Sequence, residues 1–271
     1  MNIQTPKPDF ATIKQKQQVA WGSGDYAVVG NTVQIVGETL CEAIDLRAGT
    51  TVLDVAAGNG NATLAAARRF CDVTSTDYVK SLLDRGQQRA AAEGVNVRFQ
   101  EADAEALPFE NESFDAVLST FGVMFAPDQA AVAQELARVT RLGGVIGMAN
   151  WTARGFVGQM FKTLGQHLPP APGMLPPINW GNEEALEDLF GDTVQSITVN
   201  HKTFSFRYKS FDHFINTFRT YYGPMHKAFE ALGEKSTGLE DDLRVLAQRF
   251  NVAGPDSFVV PSEYAEVIIR T

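Results

Sequence analysis

Carboxylates set among small residues mark the stretch of this chain whose spacing could do chemistry. Thr51-Val52-Leu53-Asp54-Val55-Ala56-Ala57-Gly58-Asn59-Gly60-Asn61 is followed, twenty-three positions after Asp54, by Asp77. A β-branched run ends in small residues, and an alanine-rich segment, Ala62 to Arg69, then starts like a helix. Strand, tight turn and helix N-terminus together bring backbone N–H groups against a ligand. The small residues Ala56, Gly58 and Gly60 give the spacing G-x-G-x-G with Ala in first place. A nicotinamide-dinucleotide fingerprint, G-x-G-x-x-G, wants glycine where Asn61 stands. Asp54 at the strand end would also repel a pyrophosphate. A carboxylate there suits a ligand carrying positive charge, an α-ammonium group or a sulfonium. The stretch therefore predicts a binder of S-adenosylmethionine (SAM). Asp77 ends the second strand at the sheet's carboxyl edge, placed to accept hydrogen bonds from both ribose hydroxyls. A helix N-cap for the segment beginning at Val79 is the alternative. Tyr78, next along, would lie against the adenine face.

The elements that must position these groups alternate along the chain. Strands are expected over 51–57, 72–77, 95–101, 114–120 and 144–150, with helices over 60–69, 79–93 and 128–141. Gly94 and Gly143-Gly144 are expected to stop the two helices that precede strands. Such alternation with short loops implies an α/β fold, a doubly wound and mostly parallel sheet. Before it, a helix ending near Trp21, a glycine turn and a second helix over about 27–46 are predicted. After Trp151, the expectation is a helix over 153–167, a proline-rich loop over 169–177 and a strand over 193–206. Helices over 210–231 and 239–250 and a strand over 257–269 follow.

The stretch 52–60, Asp77, Glu101 to Phe109, Ser113 to Ser119 and Arg138 to Gly144 occur in an order and spacing that resemble the class I SAM-dependent methyltransferases. The branch similar to the ubiquinone/menaquinone-biosynthesis methyltransferases is the nearest in kind. The resemblance covers residues 10 to 150 closely and the rest in outline. It implies a seven-stranded Rossmann-like sheet whose last two strands pair antiparallel. It also implies an N-terminal helical lid over 1–46 and a methyltransferase domain over 47–271. Substrate-cap insertions would lie at about 153–190 and 210–255. By the same resemblance Asp103 meets the adenine amino group, with the Ala104 N–H facing the ring. Backbone groups at Ser119, Thr120 and Phe121 receive the methionine end, although Phe121 is also a fair core residue. Trp21 and Tyr26 flank the lid's glycine turn, and aromatic faces attract a sulfonium. A hydrophobic staple between two helices would look the same.

Methyl transfer from a sulfonium needs alignment and exclusion of water more than a catalytic triad. Of four histidines, His226, among aromatic residues in the second insertion, is the candidate general base, though a lone histidine there also serves as packing. No metal-ligand motif appears, and Cys41 and Cys71 are at no ligand spacing. Over 271 residues the net charge is −9, which argues against a nucleic-acid surface. The N-terminus lacks the apolar core of a signal peptide and no stretch reaches membrane-span length, so a cytoplasmic protein is the expectation. The expected activity is methyl transfer to the O, N or C nucleophile of a small molecule, aromatic or lipophilic if Phe204 to Tyr222 line its pocket. A non-catalytic SAM-binding module is the alternative; an NAD-dependent oxidoreductase is disfavoured by Asn61 and Asp54. The oligomeric state is open, a homodimer included.

Overall fold

The computed structural model describes residues 8–271. Residues 1–7, on which the signal-peptide expectation and the start of the lid fall, lie outside the described residues. Seven strands form one sheet: β1 (Thr51–Val55), β2 (Asp72–Asp77), β3 (Arg98–Glu101), β4 (Phe114–Thr120), β5 (Thr140–Trp151), β6 (Ser196–Tyr208) and β7 (Phe258–Arg270). Their spatial order is β3-β2-β1-β4-β5-β7-β6. The first five run parallel, with Val52 opposite Val73 on one side and Ala116 on the other. β7 pairs antiparallel with both β5 and β6. The order reverses between β1 and β4, so the carboxyl ends of those two strands open a crevice, the usual ligand position in such sheets.

Eleven helices are present among the described residues: α1 (Phe10–Trp21), α2 (Tyr26–Gly30), α3 (Gln34–Ala43), α4 (Asn61–Arg68), α5 (Lys80–Glu93), α6 (Gln129–Val139), α7 (Phe156–His167), α8 (Glu183–Phe190), α9 (Phe211–Tyr221), α10 (Gly223–Leu232) and α11 (Ser236–Phe250). The central strands are buried on both faces, which is why Val52, Leu53 and Val55 read as a continuous apolar run rather than an alternating one. On one face Leu40 and Cys41 of α3, Ile44 just after it, and Ala62, Ala65 and Ala66 of α4 pack with Val52, Val73, Ala116 and Leu118. On the other, Leu136 and Val139 of α6 join Leu53, Val117, Ile146 and Met148 in a larger core that continues under α7, α9 and α11.

Several boundaries depart from the sequence expectation, each for a local reason. The single helix expected over 27–46 is α2, a turn of 3-10 helix at Asn31–Val33 and then α3. The break falls where Gly30 is wedged so tightly that a Cβ would sit 2.6 Å from Asn59 Oδ1 and 2.8 Å from the Tyr26 ring. Gly143-Gly144 does not stop α6. The helix ends at Val139, β5 begins at Thr140, and the glycines lie inside that strand where its register with β4 shifts. The segment 210–231 is two helices, divided at Tyr222, with Pro224 in the first turn of α10 where its missing N–H costs nothing. α8 was not expected; Asn182 caps it through Ala185 N–H, with Glu183 and Glu184 in its first turn.

Candidate active site

Two cavities meet above the crevice. The larger holds about 830 Å³ of empty space including its open mouth. Its floor is the loop after β1 (Ala56 to Asn59), the end of β2 (Asp77, Tyr78), the segment after β3 (Ala102 to Glu105) and the turn after β4 (Thr120 to Val123). Lys14, Gln17 and Trp21 of α1 and Tyr26 of α2 form the opposite wall.

The floor is built from strained backbone. Ala56 and Phe121, at the carboxyl ends of neighbouring strands, both have left-handed backbones, with φ of 52° and 54°. For residues carrying a Cβ this costs on the order of 1 kcal/mol or more each. Gly122 is required by the same crowding, since a Cβ there would lie 2.3 Å from the Ala56 carbonyl oxygen. Ser119 pins the two turns together, donating to Val55 O (2.9 Å) and accepting from Val123 N–H (3.1 Å).

Asp77 is the carboxylate of this floor. One oxygen accepts from Gly58 N–H and the other from Val79 N–H, both at 2.9 Å. Burial pushes its carboxyl up to about 6, against the pull of those amides. Each oxygen keeps a lone pair for a diol. The N-cap alternative does not hold, because Val79 occupies the cap position of α5 and no side chain caps that helix. At the other end of the floor Asp103 accepts from Glu105 N–H (3.0 Å) and from Lys14 Nζ (2.5 Å), which also bridges to Glu105 (2.7 Å). Gln17 donates to Phe125 O (2.9 Å) and Gln18 to Tyr78 O (2.6 Å). These bonds hold α1 across the cavity although no residue of that helix is fully buried.

The smaller cavity holds about 400 Å³ of empty space behind the first. Trp21, Tyr26, Val33, Phe121 and Phe125 face both. Trp151, Val157, Met160, Phe206, Phe218 and Tyr222 line its deeper part. Phe121 and Trp151 stack with centroids 3.8 Å apart and planes 4° from parallel. Trp21 meets Tyr26, Phe125 and Tyr222 edge-on at 5.0–5.8 Å.

A family model described as a methyltransferase domain matches residues 52–144, the strands and loops that form the floor. An uncharacterised protein of Mycobacterium tuberculosis is 40% identical over 243 residues, 87% of either chain. The demethylmenaquinone methyltransferase of Deinococcus radiodurans is 34% identical over 134 residues, 48% of this chain and 56% of its own. The crystal structure of the YcgJ protein from Bacillus subtilis superposes with a TM-score of 0.60 at 21% identity, over 89% of this chain and 99% of that one. Residues 52–144 belong to the methyltransferase-domain family, and over most of its length the chain is a relative of the uncharacterised mycobacterial protein.

Of the residues singled out in the sequence, Trp21, Tyr26, Ala56, Gly58, Asn61, Asp77, Tyr78, Asp103, Ala104, Thr120 and Phe121 line the larger cavity. Four do not. Asp54 is fully buried behind the loop, where one oxygen accepts from Thr63 N–H (2.7 Å) and Thr63 Oγ (2.6 Å) and the other has no partner. It lines neither cavity, and burial pushes it up to about 7. Gly60, left-handed, is the residue just before α4, at its N-cap. Ser119 is the buried pin between the turns. His226 lies on α10 outside both cavities, its Nδ1 against Arg219 O at 3.1 Å.

The sequence reasoning missed Lys14, Gln17, Asn59 and Glu105. Asn59 and Asn61 also look outward from the floor: Asn59 donates to Asn31 Oδ1 (2.8 Å) and Asn61 to Gly30 O (2.7 Å). Arg89 of α5 holds both from behind, at 2.7 Å to Asn59 O and 2.9 Å to Asn61 Oδ1. Only the repeated Asn beside glycine in Gly58-Asn59-Gly60-Asn61 could have signalled this tether. Among the described residues no group of three His, Cys, Asp or Glu could hold a metal, and no helix is long and apolar enough to cross a membrane.

Proposed function

We propose that this protein transfers the methyl group of SAM to a small, largely apolar acceptor. The observation that carries this reading is the shared wall. A loop-floored cavity with the carboxylates Asp77 and Asp103 in its lining opens through Trp21, Tyr26 and Phe121 onto a chamber lined by no charged residue. A module that only sensed SAM would need no second chamber beside the first.

The residues present suit the donor. Asp77 has lone pairs free for a ribose diol, Tyr78 and Ala104 lie beside the adenine position, and aromatic faces line the junction where a sulfonium would sit. Bound there, SAM would supply an activated methyl group, passing to the acceptor's lone pair as the S–C bond breaks and sulfur keeps its electrons. The chain's own part is to hold the acceptor in line and keep water out. Trp21, Tyr26 and Phe125 do the second. The helical segment up to residue 46, with cap insertions at about 153–190 and 210–255, acts as the cover of this site.

Calorimetry tests the reading. SAM and S-adenosylhomocysteine should bind with affinities near the micromolar range, about −8 kcal/mol. NAD should not bind. Tight binding of NAD with no SAM signal would refute it.

A further inference from the structure

The loop Gly58-Asn59-Gly60-Asn61 is held from behind by a cation that makes no ion pair among the described residues. Gly86 brings α5 against this loop, since a Cβ there would sit 2.8 Å from the Phe99 ring and 3.7 Å from the Asn59 carbonyl carbon. Three residues further along α5, Arg89 reaches the loop with Nη1, which donates to Asn59 O at 2.7 Å and to Asn61 Oδ1 at 2.9 Å. Its Nη2 donates to Gln34 Oε1 of α3 at 3.2 Å. The two asparagines pass the connection on to the break between α2 and α3, Asn59 Nδ2 to Asn31 Oδ1 and Asn61 Nδ2 to Gly30 O. The Tyr26 ring lies against both Gly30 and Gly58. One guanidinium thus joins α5, the glycine loop and the base of the segment that carries Tyr26.

We propose that Arg89, which lines neither cavity, is a positioning residue for the donor: through Asn59 and Asn61 it fixes the glycine loop and the Tyr26 segment in one arrangement, so that the floor and the opposite wall of the larger cavity are set together. This assignment rests on the methyl-donor reading above.

The type of residue supports it. A guanidinium presents its donors in a fixed, planar fork, whereas a lysine ammonium is a point charge without that geometry. Arg89 is half-buried, and burial above all holds its pKa below the usual guanidinium range. Glu93, one turn further along α5, pairs with Arg68 instead. Setting a half-buried cation among neutral acceptors is a poor source of stability. Its effect is geometric, because the atoms it holds belong to residues that line the cavity. Asn59 and Asn61 do so, as do Gly58 and Tyr26. Gly58 N–H also meets the Asp77 carboxylate at 2.9 Å, so a loop free to shift would loosen the group offered to the ribose.

The test is calorimetry on the whole protein with S-adenosylhomocysteine and with 5′-methylthioadenosine, the same nucleoside thioether with a methyl in place of the amino-acid end. Urea unfolding of each variant runs beside it. Arg89→Met should weaken both ligands at least about tenfold, the size of one charge-assisted hydrogen bond. Arg89→Lys keeps the stem and the charge, so it should recover the wild-type urea midpoint but not the affinity, and it carries the test if Arg89→Met does not fold. Asn31→Ala, at an exposed residue outside both cavities, cuts the link to the Tyr26 segment alone. Hydrogen exchange over residues 26–33 should then quicken at least about tenfold while that of α5 holds. Arg89→Lys binding both ligands like the wild type would overturn the positioning role, since charge alone would suffice. Loss of S-adenosylhomocysteine affinity with 5′-methylthioadenosine untouched would overturn it too, because Arg89 would then act as a charge on the ligand's carboxylate. Unchanged exchange over 26–33 in Asn31→Ala would remove the Tyr26 half of the assignment. A wild-type protein that binds neither ligand would overturn the donor reading itself, before any variant is made.

Discussion

Asp54→Asn separates electrostatics from packing at the back of the glycine loop. Asp54 is sealed from water, has no cation beside it, and satisfies only one of its oxygens, through Thr63. Its carboxyl is pushed from 3.8 up to about 7 by burial, with the two Thr63 bonds pulling the other way and Asp77 adding slightly to the rise. The sign follows directly. The folded protein keeps the proton until about pH 7, whereas the unfolded chain releases it near pH 4, so folding takes up a proton between those values. This group's contribution is full below pH 4 and is lost as pH rises through about 7. With 1.36 kcal/mol per pKa unit, the loss between pH 5 and pH 7 is about 2 kcal/mol. The asparagine never ionises, and its carbonyl oxygen can keep both Thr63 bonds. Urea unfolding of the two proteins at pH 5, 6, 7 and 8 should show the variant gaining about 2 kcal/mol on the wild type from pH 5 to 7. SAM affinity should stay within about threefold, because Asp54 lies off the cavity. A stability difference independent of pH would mean an ordinary, ionised carboxylate, and the burial argument would fail.

Asp77 titrates inside the cavity, so its pH effect should be read in binding. A ribose diol is held by the carboxylate form, and calorimetric SAM affinity should rise as pH climbs through about 6. Asp77→Asn should lower affinity about tenfold and flatten that profile; an unchanged profile would remove Asp77 from the site. Lys14→Met should loosen α1, whose hold on the floor is the Lys14 bridge to Asp103 and Glu105 plus two glutamine bonds. Hydrogen exchange over residues 10–21 should quicken at least about tenfold relative to α6, and in the wild type SAM should protect residues 10–26 more than α6. Equal and high protection with and without SAM would make α1 a fixed arm rather than a cover.

What was legible in the sequence is what local chemistry dictates. The apolar runs of buried strands and the alternation of elements led to a doubly wound, mostly parallel sheet, while its seven strands and antiparallel last pair came from the resemblance to the methyltransferases; Asp77, fixed by the end of a strand, lies where expected in the lining of the larger cavity. Asp54 was misread for an instructive reason. A carboxylate beside a glycine loop looks the same in sequence whether it turns toward a ligand or away toward Thr63. Lys14 was passed over because it sits in a Lys/Gln-rich helix that resembles a solvated surface. The apolar chamber was visible only in outline, because its lining comes from points as distant as Trp21, Trp151 and Tyr222. Phe206 and Phe218 carry the same spacing as core residues, and only the tertiary arrangement leaves a space between them.

Because Trp21, Tyr26 and Phe125 belong to both cavities, the two occupants share a wall and cannot be independent. Whatever free energy one ligand spends or gains by moving Tyr26 must reappear, with the same sign and size, in the affinity of the other. Occupancy of the loop-floored cavity thus sets how tightly the chamber grips, and an occupied chamber sets how readily the larger cavity empties. Tightening the site for one partner retunes the other, so natural or engineered changes at these three rings will move both affinities together.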